Sequence, residues 1–181
     1  MINISPETVR LARELGIDEI RELPPGLLVP EERIREFCRE NRCGSFQGNY
    51  MCPPRVGSLP EIRARLRAYS RGILLQYAQP VDVQHDHDAV RRTKVAFHRK
   101  VLHLEDLLKE AGSTNVWGLI GGSCDLCQAC AARLEQPCPY PDQARTSLEA
   151  LGIDVLSLLD GLGLDNHFHP RQIRWTGALL Y

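Results

Sequence analysis

The residue types that could do chemistry in this chain are its cysteines. Gly121-Gly122-Ser123-Cys124-Asp125-Leu126-Cys127-Gln128-Ala129-Cys130 sets three of them at steps of three, and Cys138-Pro139 follows. Cluster irons are held by thiolates, and bacterial ferredoxins use a C-x2-C-x2-C run with a later Cys-Pro. The gap to the last cysteine is longer than in ferredoxins, with seven residues between Cys130 and Cys138. Such an arm lets Cys138 return to the same [4Fe–4S] cluster or reach a second one, and the spacing leaves both open. Structural zinc usually draws its ligands as two separated pairs around a tetrahedral ion. Three cysteines within seven residues suit a loop lining a cubane better. Inert buried cysteines are common in cores, but four of seven within fifteen residues argue against packing alone.

A second group lies upstream. Cys38-x4-Cys43-Gly44, the polar turn Gln47-Gly48-Asn49, and Cys52-Pro53-Pro54 make a loop with neither helical nor strand period. Glycine permits tight wrapping and proline stiffens it. Three cysteines in one such loop point to metal ligation. Two fully coordinated [4Fe–4S] clusters take about eight protein ligands, and the chain has seven cysteines. So either one cluster takes a non-cysteine ligand or one iron is open to a small molecule. The preferred partition puts Cys124, Cys127, Cys130 and Cys138 around a closed cluster and Cys38, Cys43 and Cys52 around the open one. Exchanging Cys138 between groups leaves the count unchanged.

The elements that must position these loops follow from capping and periodicity. Ser5-Pro6-Glu7 opens a helix that Gly16 ends. A short helix runs from about Glu31 to Glu40, with Ile34 and Phe37 expected inward and Cys38 in its last turn. Ser58-x-x-Glu61 is a capping box, followed by Leu59, Ile62, Leu66 and Tyr69 on one face. Gly72–Ala78 reads as a buried strand that Pro80 ends. The longest helix spans about Asp86 to Glu110, with Val90, Phe97, Val101, Leu104 and Leu108 as its core stripe. Arg91, Arg92 and Lys94 read as its solvated face, and His98 and His103 as surface positions. The acid-rich start around His85 and His87 suits the helix dipole better than a metal. Asn115–Ile120 is a second strand running into the cluster loop, with Gly121 and Gly122 free to offer amides to cluster sulfurs. Strand, helix, strand implies a right-handed crossover with parallel strands. Asp142 caps a helix ending at Leu151, Asp154 caps another to about Gly161, and Ile173–Leu180 is a third strand. The fold class is α/β or α+β: a small sheet of about three or more strands, flanked by helices, with cysteine-rich loops. His167 and His169, two apart, are an edge pair or, alternatively, a cluster ligand or proton donor.

At 181 residues the chain reads as a single domain, with 1–29 as an N-terminal helical extension. A net charge of −1 gives no electrostatic case for nucleic acid or a membrane surface. The start Met1-Ile-Asn-Ile-Ser-Pro-Glu7 has no basic flank and no apolar core, so it does not read as a signal peptide. Clustered cysteines without an export signal suggest the reducing cytoplasm.

Three blocks in order carry a family resemblance: Cys38-x4-Cys43-x8-Cys52-Pro-Pro, Gly122-x-Cys124-x2-Cys127-x2-Cys130-x7-Cys138-x-x-Pro141, and Ser147-x-Glu149-Ala150-x-Gly152-Ile153-Asp154-Val155. Over roughly residues 30 to 181 the chain resembles a family of small cysteine-rich prokaryotic proteins, a domain of unknown function described as predicted metal-binding. The resemblance implies a cytoplasmic metal protein, of iron–sulfur type, with no assigned reaction. It carries over the seven cysteines as site residues and Ser147–Val155 as a helix-turn-helix; His167 and His169 fall outside it.

The expected function is therefore that of an iron–sulfur redox protein with two [4Fe–4S] clusters. It serves electron transfer with a redox partner protein, or small-substrate chemistry at the open iron. No paired carboxylates, nucleophile motif or glycine-rich nucleotide loop supports other catalysis, so whether it is an iron–sulfur oxidoreductase, a sulfur-handling enzyme or a carrier stays open. The alternative is a zinc-stabilised structural or interaction module.

Overall fold

The computed structural model describes residues 4–181. Met1–Asn3, part of the stretch read for an export signal, lie outside the described residues. Ser5 caps α1 (Pro6–Glu14), its hydroxyl accepting from Thr8 N. The chain continues through β1 (Glu19–Glu22), α2 (Glu32–Arg39), α3 (Leu59–Leu66), β2 (Gly72–Pro80), α4 (His87–Glu110), β3 (Trp117–Leu119), α5 (Val155–Gly161) and β4 (Gln172–Leu180). The four strands form one sheet in the order β1-β2-β4-β3, antiparallel at every pairing. This is an α+β fold.

The two strands joined through α4 run in the same direction, as a crossover requires, since β2 and β3 are each antiparallel to β4; β4 lies between them, so they do not pair with each other. The last strand of the chain is apolar enough to take that central place, with Thr176 to Leu180 all buried. β1 was not anticipated. It has only four residues, three of them charged, as suits a sheet edge.

Side chains alternate across the two central strands. Leu74, Ala178 and Leu180 pack with Trp117, Leu119 and the α3 residues Leu59, Ile62 and Leu66 on one face. Ile73, Leu75, Tyr77 and Leu179 pack with Phe97, Val101 and Leu104 of α4 and Ala12 of α1 on the other. Covering both faces explains why β2 is largely apolar, with Gln76 its one buried polar side chain, a pattern more usual in parallel sheets.

Helix α4 sits close to the sheet because glycines lie beneath it. A Cβ at Gly177 would fall 2.4 Å from Leu119 O and 3.0 Å from Phe97, and one at Gly118 would fall 2.5 Å from Glu105 Oε2. Glu105 is 2 % exposed and accepts from Gly118 N at 3.0 Å and from Arg145 Nε and Nη2, both at 2.8 Å. Lys109 adds an ion pair at 2.9 Å.

Three further expectations are corrected. Asp142 to Leu151 is not a helix; only Glu149–Leu151 makes a 3-10 turn. Arg145 is drawn to Glu105, and Ile120 N donates to Thr146 O at 2.9 Å, holding the segment extended beside β3. Tertiary bonds here override local propensity. Phe37 is 62 % exposed and Arg35 is buried in its stead, donating from Nη2 to Gly57 O at 3.1 Å. His98 is buried, and its Nε2–H donates to Gln143 O at 2.9 Å. Burial lowers its pKa and favours the neutral ring.

Burial alone would raise the Glu105 pKa, but Arg145 and Lys109 outweigh it and the net shift is downward from 4.5. The carboxylate therefore stabilises the fold above about pH 4.5, and that contribution is lost as pH falls through its depressed folded pKa. Glu105→Ala should cost about 3–5 kcal/mol, the scale for leaving a buried charge without its partner. Glu105→Gln should flatten the acid limb of stability. Urea unfolding from pH 3 to 7, roughly spanning the carboxylate range, checks both, and an unchanged acid limb would remove Glu105 from this role.

Candidate metal centre

The cysteine loops project from one end of this scaffold. Cys38 lies in the last turn of α2, half-buried; Cys43 is exposed and Cys52 buried. Cys124, Cys127, Cys130 and Cys138, all half-buried, follow β3, and all seven are free thiols. The four downstream thiols line one small, partly open pocket together with Asn49, Tyr50 and Met51 of the upstream loop. The two loops, far apart in sequence, thus face each other.

Side chains bind the loops together. Buried Asn49 donates from Nδ2 to Cys124 O at 2.9 Å and accepts from Met51 N at 3.0 Å. Tyr50 OH donates to Gln136 O at 2.7 Å, and Arg133 Nη2 donates to Gly44 O at 2.7 Å. Helix α4 holds the downstream loop: Arg91 Nη2 donates to Asp125 O and Cys127 O at 3.0 and 2.9 Å. Lys94 pairs with Asp125 at 2.6 Å. Arg91 and Lys94 are therefore not a solvated face. They sit at the N-terminal end of the helix preceding β3, and that end returns toward the C-terminal end of β3, where the loop begins. The topology already carried that signal; helical periodicity alone did not.

Crowding is written into the thiol pKa values. Burial first, then the neighbouring Cys43, Cys38, Cys124 and Cys130, push Cys52 up to about 12. Cys52 thus lies within electrostatic reach of both groups. Burial also raises Cys124 and Cys127. At Cys124 the backbone N–H groups of Leu126 and Arg145 oppose it by bonding to the sulfur. A Cβ at Gly121 would fall 3.1 Å from the Thr176 backbone, so that glycine serves passage over β4. Beside Cys38, whose pKa burial raises, stand Arg35, which lowers it, and Glu149, which raises it. Arg35 Nη1 and Glu149 Oε2 are buried without partners.

These features fit a thiolate-bound metal group. Several thiols confined together in low dielectric cannot ionise side by side unless a cation supplies the opposing charge. Among the described residues no three His, Cys, Asp or Glu side chains close around a point that would hold a single ion. The downstream thiols are instead gathered along one pocket.

His167 and His169 do not line that cavity. Both rings bond to Asp165, His167 Nδ1 at 3.1 Å and His169 Nε2 at 3.0 Å, and Arg174 joins them at 2.6 Å. The bond from His167 N, then the two rings, hold the Asp165 carboxyl well below the usual range. His85 is likewise engaged with Asp82, and Asp86 caps α4 by accepting from Ala89 N.

A family model described as predicted metal-binding protein (DUF2284) matches residues 21–181. No curated protein and no solved structure matches the chain. No helix among the described residues is long and apolar enough to cross a membrane.

Asn49→Ala should cost about 1–3 kcal/mol, the scale for stranding buried hydrogen-bond partners, and lower the metal bound per chain. An unfolding midpoint and metal content equal to wild type would show that the two loops do not depend on this contact. His169→Ala should leave metal content and visible absorption unchanged; a shifted spectrum would return the histidine to the metal centre.

Proposed function

The chain belongs to that predicted metal-binding family, and from this premise we propose that it is an iron–sulfur redox protein. Cys124, Cys127, Cys130 and Cys138 hold a closed [4Fe–4S] cluster, and Cys38, Cys43 and Cys52 a second with one iron lacking a cysteine. The observation that carries the reading is the single cavity lined by the four downstream thiols. Clusters so bound supply one-electron transfer, and an open iron adds Lewis acidity.

The chain's own residues do the rest. Leu126 N–H and Arg145 N–H stabilise the Cys124 thiolate. Hydrogen bonds to cluster sulfurs are among the factors that set the potential. Arg91 and Lys94 fix the loop that carries Cys124 and Cys127. Cys52, coupled to both groups, makes the two sites neighbours, as electron passage between them requires. Cys43 is exposed, which puts the three-cysteine site within reach of a redox partner or a small substrate. Glu149, with one carboxylate oxygen unpartnered beside Cys38, is the side chain best placed to complete that site. The whole chain acts as one domain, with 1–29 contributing α1 and the edge strand β1, and works in the cytoplasm without nucleic acid or membrane.

Iron, acid-labile sulfide and zinc per chain, measured on protein purified without oxygen, test the reading. About eight irons with matching sulfide are expected. Cys52→Ser should remove one cluster signal in EPR and leave the other. Loss of both signals together would overturn the two-site partition. Zinc without sulfide would replace the redox reading with the zinc-stabilised module.

A further inference from the structure

A second cavity opens beside the thiol pocket and shares Tyr50, Met51 and Ala144 with it. It is open to solvent on one side. Three guanidinium groups from separate segments line it: Arg55 just past Cys52, Arg65 on α3, and Arg145 in the stretch after Cys138. Two acids line it as well, Glu105 and Asp142. Glu105 is already taken by Arg145 and Lys109.

The other two arginines are held but not satisfied. The Arg65 guanidinium lies 3.5 Å from the Trp117 ring centroid and has no hydrogen-bond acceptor among the described residues. Arg55 lies 5.1 Å from the Tyr50 centroid, and its side chain donates only from Nε, to Gln47 O at 3.0 Å. Stacking on an aromatic ring restrains the side chain while leaving its outward N–H groups open. A restrained fork loses less freedom on binding. Its planar pair of donors matches carboxylate and phosphate oxygens.

We propose that this cavity binds a small oxyanion-bearing molecule, a carboxylate or a phosphate, through Arg55 and Arg65. The inference rests on the cavity and not on which metal the cysteines hold. Its position gives it a use all the same: the wall between such a ligand and the thiol pocket is shared by both, formed by Tyr50, Met51 and Ala144.

Inorganic phosphate and, separately, succinate are titrated at constant ionic strength into protein purified without oxygen. Tryptophan fluorescence is followed, because Arg65 covers the Trp117 ring. A saturable change with at least one probe is expected, and the stronger of the two identifies the anion class. Arg55 is exposed, so Arg55→Ala leaves the core intact. It should weaken binding by about tenfold or more, as expected for a lost charged hydrogen bond. Arg55→Lys, which keeps the charge without the fork, should restore only part of it. Iron and sulfide on the same samples should equal wild type. No saturable change with either probe, or equal affinity in Arg55→Ala, overturns the proposal. So does metal loss in Arg55→Ala, which would make Arg55 part of the metal centre and not of a separate site.

Discussion

Helix α4 can lie as close to the sheet as it does only because β3 and β4 present glycine beneath it. With Gly118 and Gly177 in place, Phe97 reaches the strand backbone and Glu105 reaches the Gly118 amide. Glu105 then anchors Arg145, which keeps the stretch after Cys138 extended beside β3. At its other end the same helix grips the loop of Cys124 and Cys127 through Arg91 and Lys94. The packing of one helix thus fixes both arms of the downstream cysteine group. A side chain at either glycine would push on the core and on the site together.

The site itself is organised by an electrostatic conflict. Thiols are brought together in a partly buried pocket where their ionised forms repel and are poorly solvated, as the high pKa of Cys52 records. Stability of the fold would be better served by dispersing them. Their assembly makes physical sense when a metal group provides the missing positive charge, and metal binding then contributes to holding the loops together. The bonds between loops from Asn49, Tyr50 and Arg133 pre-form that arrangement with neutral or cationic donors to carbonyls. They do not depend on the ionisation of the thiols.

Cationic side chains recur around this centre. Arg91 and Lys94 meet the downstream loop, and Arg35 stands beside Cys38. Arg55, Arg65 and Arg145 line the neighbouring cavity. A net charge of −1 for the chain does not show this local excess of arginine, of which Arg145 alone is paired with Glu105. Thiolate-bound metal groups often carry net negative charge, and nearby guanidinium and ammonium groups offset it.

The sequence by itself determined which residues are candidates for holding a metal and where most elements lie. The spacing of Cys124, Cys127 and Cys130 is a local code, and the Ser58–Glu61 box and the stripe from Phe97 to Leu108 are local as well. Capping and periodicity depend on neighbours within a few residues, so one strand of text suffices to read them. Only the tertiary structure decided that β4 enters between β2 and β3, that Arg91 and Lys94 hold a loop, that His98 is buried, and that Asp142–Leu151 is not helical. Each of those outcomes rests on a partner distant in the chain: Leu75 for Gly177, Cys127 for Arg91, Gln143 for His98 and Glu105 for Arg145. Periodicity reports that a residue faces something apolar or polar. It holds no information on which distant segment that will be, and for this protein that segment is what brings the two cysteine-rich loops against each other.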